Sequence, residues 1–122
     1  MKNSTDIKFT VNGNTESISL TEKGGEYDAF AVKGVRWFQK TYGNTYHKAY
    51  VSGLKDGVWQ PICHSDNMQY GYGEQYLCTA TKLMVDAGLI ECSNEYALNQ
   101  MNVRQSLNME HYAEDVQRQK DM

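Results

Sequence analysis

Residues 31–64, AVKGVRWFQKTYGNTYHKAYVSGLKDGVWQPICH, decide the fold. Three runs rich in β-branched and aromatic residues are separated by Gly43-Asn44 and Asp56-Gly57, dipeptides suited to tight hairpin turns. The pattern predicts a three-stranded antiparallel meander with strands near 31–42, 45–54 and 58–64. A turn at Gly43-Asn44 pairs Trp37 with Tyr50, Phe38 with Ala49 and Arg36 with Val51. A turn at Asp56-Gly57 pairs Leu54 with Trp59, Val51 with Ile62 and Tyr50 with Cys63. Side chains alternate across a strand, so one face gathers Phe38, Ala49, Val51, Val58 and Ile62. The other gathers Trp37, Tyr46, Tyr50, Leu54, Trp59 and Cys63. Both faces are apolar enough to need cover, one from a helix and one from a hairpin, partner subunit or ligand.

Upstream, residues 6–21 read as a second hairpin. Asn12-Gly13 supplies its turn, places Ile7 opposite Ile18 and sends Phe9, Val11 and Leu20 to one face. Downstream, a helix over 74–87 puts Tyr76, Leu77, Ala80, Leu83, Met84 and Ala87 on one stripe, with Gly88 as the residue that closes it. Residues 89–92 suit a short strand. From Ser93, a possible N-cap, the chain reads as helical, with Tyr96, Leu98 and Met101 inward. An interruption at 102–108 is followed by a stripe of Met109, Tyr112 and Val116, and the polar last turn, 117–122, is expected to fray. The expected fold is α+β: an antiparallel sheet from the N-terminal hairpin and the meander, a helix packed on one face, and a C-terminal helical segment. One domain, 1–122, is expected, with a homodimer or higher contact through the C-terminal segment.

The 122 residues carry a net charge of -3 and are 40% hydrophobic, which suits a folded domain with a core of its own. No apolar run reaches the roughly 20 residues needed to span a bilayer. Residues 1–6 are polar and lack the core of a secretory signal. Cys63, Cys78 and Cys92 are an odd number at wide spacing, which fits reduced thiols in a cytoplasmic protein.

Charge is unevenly placed. Residues 1–60 hold eight Lys or Arg against six Asp or Glu, whereas 61–122 hold four against nine. Between Asp28 and Asp56 there is no acid, while Lys33, Arg36, Lys40, Lys48 and Lys55 alternate with Trp37, Phe38, Tyr42, Tyr46, His47 and Tyr50. Aromatic rings stack on a base and cations hold a phosphate, so this pattern suits a flat anionic ligand. The ordinary alternative is that the rings are core and the lysines protect a sheet edge. Candidate ligand residues are Arg36, Trp37, Lys40, Tyr46, Lys48 and Tyr50, with Arg104 from the amide-rich segment that follows.

Other chemistry is poorly supported. Gly71 and Gly73 precede a helix, as in phosphate-binding loops, but the stretch lacks a P-loop ending and Glu74 would repel an anion. Cys63, His64, Cys78, Cys92, His47 and His111 show no metal-ligand spacing, and no metal or cofactor is expected. Cys63 or Cys78 with His47 or His64 can be imagined as nucleophile and base. The expected register puts Cys63 and His64 on opposite faces, so no catalytic residue is assigned and an enzyme is not expected.

The run Gly43-Asn44-Thr45-Tyr46-His47, with Tyr70-Gly71-Tyr72-Gly73-Glu74-Gln75-Tyr76-Leu77 and Thr79-Ala80, resembles a pattern in small phage and prophage accessory proteins. It covers roughly residues 34–88. The resemblance implies a setting in which a small protein blunts bacterial anti-phage defence. The expected function is therefore a non-enzymatic binding protein that sequesters a nucleotide-derived signal. One alternative is an anti-CRISPR-type inhibitor that binds a host defence protein through the aromatic face or the acidic C-terminal segment. Direct nucleic-acid binding is a second alternative, less favoured by the negative net charge.

Overall fold

The computed structural model describes residues 6–122; the polar start of the chain, 1–5, lies outside the described residues. The fold is α+β, with eight strands in two sheets among the described residues. Strands β1 (Ile7–Val11) and β2 (Asn14–Leu20) form the N-terminal hairpin. The meander is β3 (Ala29–Gln39), β4 (Asn44–Lys55) and β5 (Val58–His64). After it come β6 (Gln69–Tyr70), α1 (Tyr76–Asp86), β7 (Ile90–Cys92), α2 (Met101–Ser106) and β8 (Met109–Val116).

The hairpin and the meander belong to separate sheets, which corrects the expectation of one. One sheet has the order β1-β2-β7 and the other β5-β4-β3-β8, with β6 beside β4. Ile7 lies opposite Ile18 as the turn chemistry requires, and β7 then pairs with β2 through Ile18 and Cys92. Asn12-Gly13 and Asp56-Gly57 both hold positive φ at each position, the geometry of a type I′ turn.

The β3–β4 register also departs from expectation. Trp37 faces Tyr46, not Tyr50, and Arg36 faces His47. The chain turns through four residues, 40–43, closed by Gly43 N–H on the Gln39 carbonyl at 2.9 Å. This register sets Val32 against Val51, Gly34 against Ala49 and Phe30 against Gly53, which concentrates core residues under α1. Both registers have the same parity, so Trp37, Tyr46 and Tyr50 still share a face. Between β4 and β5, Leu54 faces Trp59 as expected. A bulge between Val51 and Ser52 then moves Cys63 opposite Val51 and His64 opposite Tyr50.

Helix α1 covers the first face of the larger sheet with Tyr76, Leu77, Ala80 and Met84, all buried. Its close approach depends on Gly34, where a Cβ would sit 2.4 Å from the Tyr76 ring. Phe30, Val32, Ala49 and Val51 meet the helix, and Phe9, Ile18, Leu89 and Ile90 extend the same core to the smaller sheet.

The C-terminal segment is the largest correction. Helical structure there amounts to a 3-10 turn at Ala97–Asn99, α2 and a last 3-10 turn at Gln119–Asp121, with Tyr96 and Met101 exposed and Leu98 buried. From Met109 the chain is a strand, β8, parallel to β3, so the larger sheet is mixed. Met109, His111 and Ala113 turn inward while Glu110, Tyr112 and Glu114 turn outward, a period of two that a helix cannot satisfy. No helix among the described residues is long and apolar enough to cross a membrane.

Candidate ligand-binding site

Strand β8 supplies the carboxylates that the basic stretch lacks. Lys33 pairs with Glu114 at 3.0 Å, and that hydrogen bond raises the Lys33 pKa against the opposing effect of burial. The Arg36 guanidinium makes a two-point contact with Asp115 and donates through Nη1 to the Gly73 carbonyl at 2.9 Å. Lys55 pairs with Glu26 at 3.3 Å. Of the five cations, only Lys40 and Lys48 make no ion pair among the described residues.

The seven candidate residues separate into three places. Trp37, Tyr46, Lys48 and Tyr50 share the second face of the larger sheet, away from α1. There Trp37 stacks on Tyr46 with ring centroids 6.0 Å apart, and Tyr70 of β6 meets Tyr46 edge-on at 5.9 Å. Tyr50 stacks on His64 at 5.7 Å. Lys48 lies between the two groups, two residues from Tyr46 and two from Tyr50 on β4.

Arg36 and Lys40 lie elsewhere. They line a cavity of about 430 Å³ beside Phe38, Thr45, Tyr72 and Asp115, at the turn end of the meander. Arg36 faces His47 and so projects on the α1 side, where its hydrogen bonds hold β8 and the loop before α1. Arg104 sits on α2, donates to the Leu98 carbonyl at 2.9 Å and does not line the hollow at Lys48. The basic-aromatic stretch is therefore not one surface: strand alternation sends its members to opposite faces.

A 3-10 turn, Gln119–Asp121, lies across the second face. The Tyr50 hydroxyl donates to the Met122 carbonyl at 3.0 Å, and Gln119 Nε2 is 3.7 Å from Met68 Sδ. On one side of Met122 is a hollow of about 870 Å³, lined by Lys48, Asp66, Asn67, Met68, Arg118 and Lys120 among others. On the other is a hollow of about 420 Å³ whose walls include Lys33, Tyr50, Ser52, Tyr112 and Glu114. Arg118 and Lys120 belong to the segment expected to fray, and Tyr112 to the segment expected to be helical. The sequence signal for them was weak: two isolated cations in QRQKDM, and one tyrosine between glutamates.

The histidines and cysteines are occupied structurally. His47 is buried, with Nδ1 3.1 Å from the Gly71 carbonyl and Nε2 2.6 Å from Thr79 Oγ1. A carbonyl only accepts, so Nδ1 carries the proton and Nε2 accepts from the threonine. Burial lowers the His47 pKa, against the hydrogen bond to Gly71, which raises it. The ring ties β4 to the loop after β6 and to α1. Cys63 is pushed up to about 11 by burial, and its Sγ faces the Leu83 carbonyl on the α1 side, away from His64. Burial raises the Cys78 and Cys92 pKa values as well. Among the described residues no group of three or more His, Cys, Asp or Glu is placed to hold a metal ion.

What the second face can do chemically is bind. It offers an ammonium that makes no ion pair among the described residues, between ring systems, with two further cations on the rim and hydroxyls from Tyr50 and Ser52. No protein-family model, curated protein or solved structure matches the chain, so these residues carry the functional argument.

Proposed function

We propose that the chain is a non-enzymatic binding protein that captures a nucleotide-type ligand on the second face of its larger sheet. The observation that carries this reading is Lys48, a cation with no ion pair among the described residues, on the wall of the 870 Å³ hollow, between the Trp37–Tyr46–Tyr70 and Tyr50–His64 ring groups. The ammonium takes the anionic group and a ring takes the base, whose stacking contributes about 1–3 kcal/mol. Lys120 and Arg118 add positive charge at the rim, although Asp121 already neutralises part of Arg118.

The phage-type pattern over residues 34–88 supplies the cellular setting for this reading: sequestration of a nucleotide-derived signal that a bacterial defence system needs. Such a role requires affinity and no chemistry. A second reading, an inhibitor that binds a host effector protein, is favoured by the exposed Phe38, Tyr42 and Tyr72 around the turn end of the meander. Direct nucleic-acid binding loses support because three of the five cations are paired.

Thermal unfolding against mono-, di- and cyclic nucleotides and short RNA and DNA tests the reading. A ligand at 100 times its Kd stabilises the fold by about 2.7 kcal/mol. The expected result is a selective rise in Tm that Lys48→Ala removes and Arg104→Ala leaves unchanged. No rise with any nucleotide would overturn nucleotide capture and turn attention to the aromatic turn end as a protein contact.

A further inference from the structure

The two hollows on the second face are separated by a weakly held piece of the chain itself. Every residue of the Gln119–Asp121 turn is exposed. The turn closes on itself through Arg118 and Asp121, with Nε to Oδ2 at 2.9 Å, and through Met122 N–H on the Gln119 carbonyl at 3.1 Å. Among the described residues its side-chain hydrogen bonds to the sheet side of the fold are two: Tyr50 to the Met122 carbonyl, and Gln119 to a thioether, which is a poor acceptor. Met122 lines both hollows, and Tyr50, the residue that holds it, lies one strand repeat from Lys48, about 7 Å.

We infer that the two hollows are halves of one nucleotide site, and that Met122 is a stand-in which the ligand displaces from the Tyr50 hydroxyl. This rests on the functional reading above and extends it to the ligand's orientation. The phosphates lie at Lys48 in the larger hollow, where the unpaired cation is. The base lies beyond Tyr50 in the smaller hollow, where Lys33 is already neutralised by Glu114. That half therefore offers a neutral ligand group the exposed Tyr112 ring, the Ser52 hydroxyl and the Glu114 carboxylate. Between them the Tyr50 hydroxyl, freed from Met122, donates to a phosphate or sugar oxygen. A ligand confined to the larger hollow would leave Met122 on the Tyr50 hydroxyl and Tyr112 untouched.

The test uses the full chain with ADP, GDP, CDP and UDP as probes and methyl-labelled methionine. The Met122 methyl signal, assigned by its loss in Met122→Leu, is followed while each probe is titrated. The expected result is that a bound probe moves this signal to the sharp position of a solvent-exposed methionine. Tyr112→Ala then weakens that probe about ten-fold through lost stacking, without changing the Tm of the ligand-free protein beyond a degree or two. Removing Met122 alone, which keeps the Arg118–Asp121 pair, tightens binding several-fold, because the site no longer spends part of its time occupied by its own chain. Saturable binding with an unmoved Met122 signal and an unchanged Kd in Tyr112→Ala would overturn this inference and leave capture at Lys48 standing. No saturable binding of any probe, to the full or the shortened chain, would overturn both.

Discussion

Arg36 on β3 and Asp115 on β8 face each other across a parallel strand pair, 79 residues apart in the chain, with Nε to Oδ1 at 2.7 Å and Nη2 to Oδ2 at 3.2 Å. Two of the acids that the basic stretch lacks, Glu114 and Asp115, arrive from the other end of the sequence. The carboxylate is largely exposed, which limits the pair to about 0.5–1 kcal/mol. Arg36→Ala should cost about 1–2 kcal/mol, since it also strips the Gly73 carbonyl of a donor. Asp115→Asn should cost less. A double-mutant cycle in urea unfolding measures the coupling, and a coupling of zero would mean that the pair does not hold β8 in place.

His47 makes stability depend on pH. Burial keeps its ring neutral in the folded chain, whereas the unfolded chain takes up a proton near the ordinary histidine pKa of about 6.5. The unfolded state therefore binds more protons over this range, and stability rises with pH through it. Acidification below about pH 6.5 should destabilise the protein progressively until the folded-state pKa is passed. Urea midpoints at pH 7.5 and pH 5 check this, and in His47→Gln the part of the slope due to this ring should vanish.

Gly34 should tolerate no side chain. A Cβ there would lie 2.4 Å from Cγ of Tyr76, a buried ring whose hydroxyl is also hydrogen-bonded to His111 Nδ1 at 2.7 Å. Gly34→Ala forces α1 away from the sheet and should cost about 1–3 kcal/mol, the usual range for overpacking. An equilibrium unfolding curve within 0.5 kcal/mol (roughly the scatter of neutral surface changes) of the parent would contradict the close approach of helix and sheet.

The three thiols should alkylate slowly in the native state. Only the thiolate is nucleophilic, and burial holds all three pKa values up, that of Cys63 to about 11. Iodoacetamide labelling at pH 7.5, followed by mass, should be many times slower in native protein than in urea. Rapid modification of native Cys63 would place it in a more polar setting than its contact with Leu83 allows.

The elements legible in the sequence were those whose signals are local. Asn12-Gly13 and Asp56-Gly57 mark their turns because few residues accept positive φ at two successive positions. Tyr76, Leu77, Ala80 and Met84 mark α1 by their spacing. What depends on distant partners was hidden. The β3–β4 register follows from stacking Val32, Gly34, Ala49 and Val51 beneath α1, and the Gly43-Asn44 dipeptide alone favours a different one. In β8, apolar Met109, Tyr112 and Val116 fit a helical stripe, while the alternation of Met109, His111 and Ala113 with Glu110, Tyr112 and Glu114 shows only once β3 is beside it. The candidate site divided for the same reason. Trp37, Tyr46, Lys48 and Tyr50 have the parity to share a face, whereas Arg36 has the opposite parity and Arg104 belongs to another layer. Tyr112, Arg118 and Lys120 reach the site only through tertiary structure.

The central claim is that a nucleotide binds at Lys48 on the second face of the larger sheet. The most direct measurement is a map of backbone amide shifts on saturation with the nucleotide that raises Tm most. The account predicts perturbations gathered at residues 46–50, 66–68 and 118–122, extending to Tyr112. Perturbations centred on Phe38, Lys40 and Tyr72, or none at any nucleotide concentration, would contradict it.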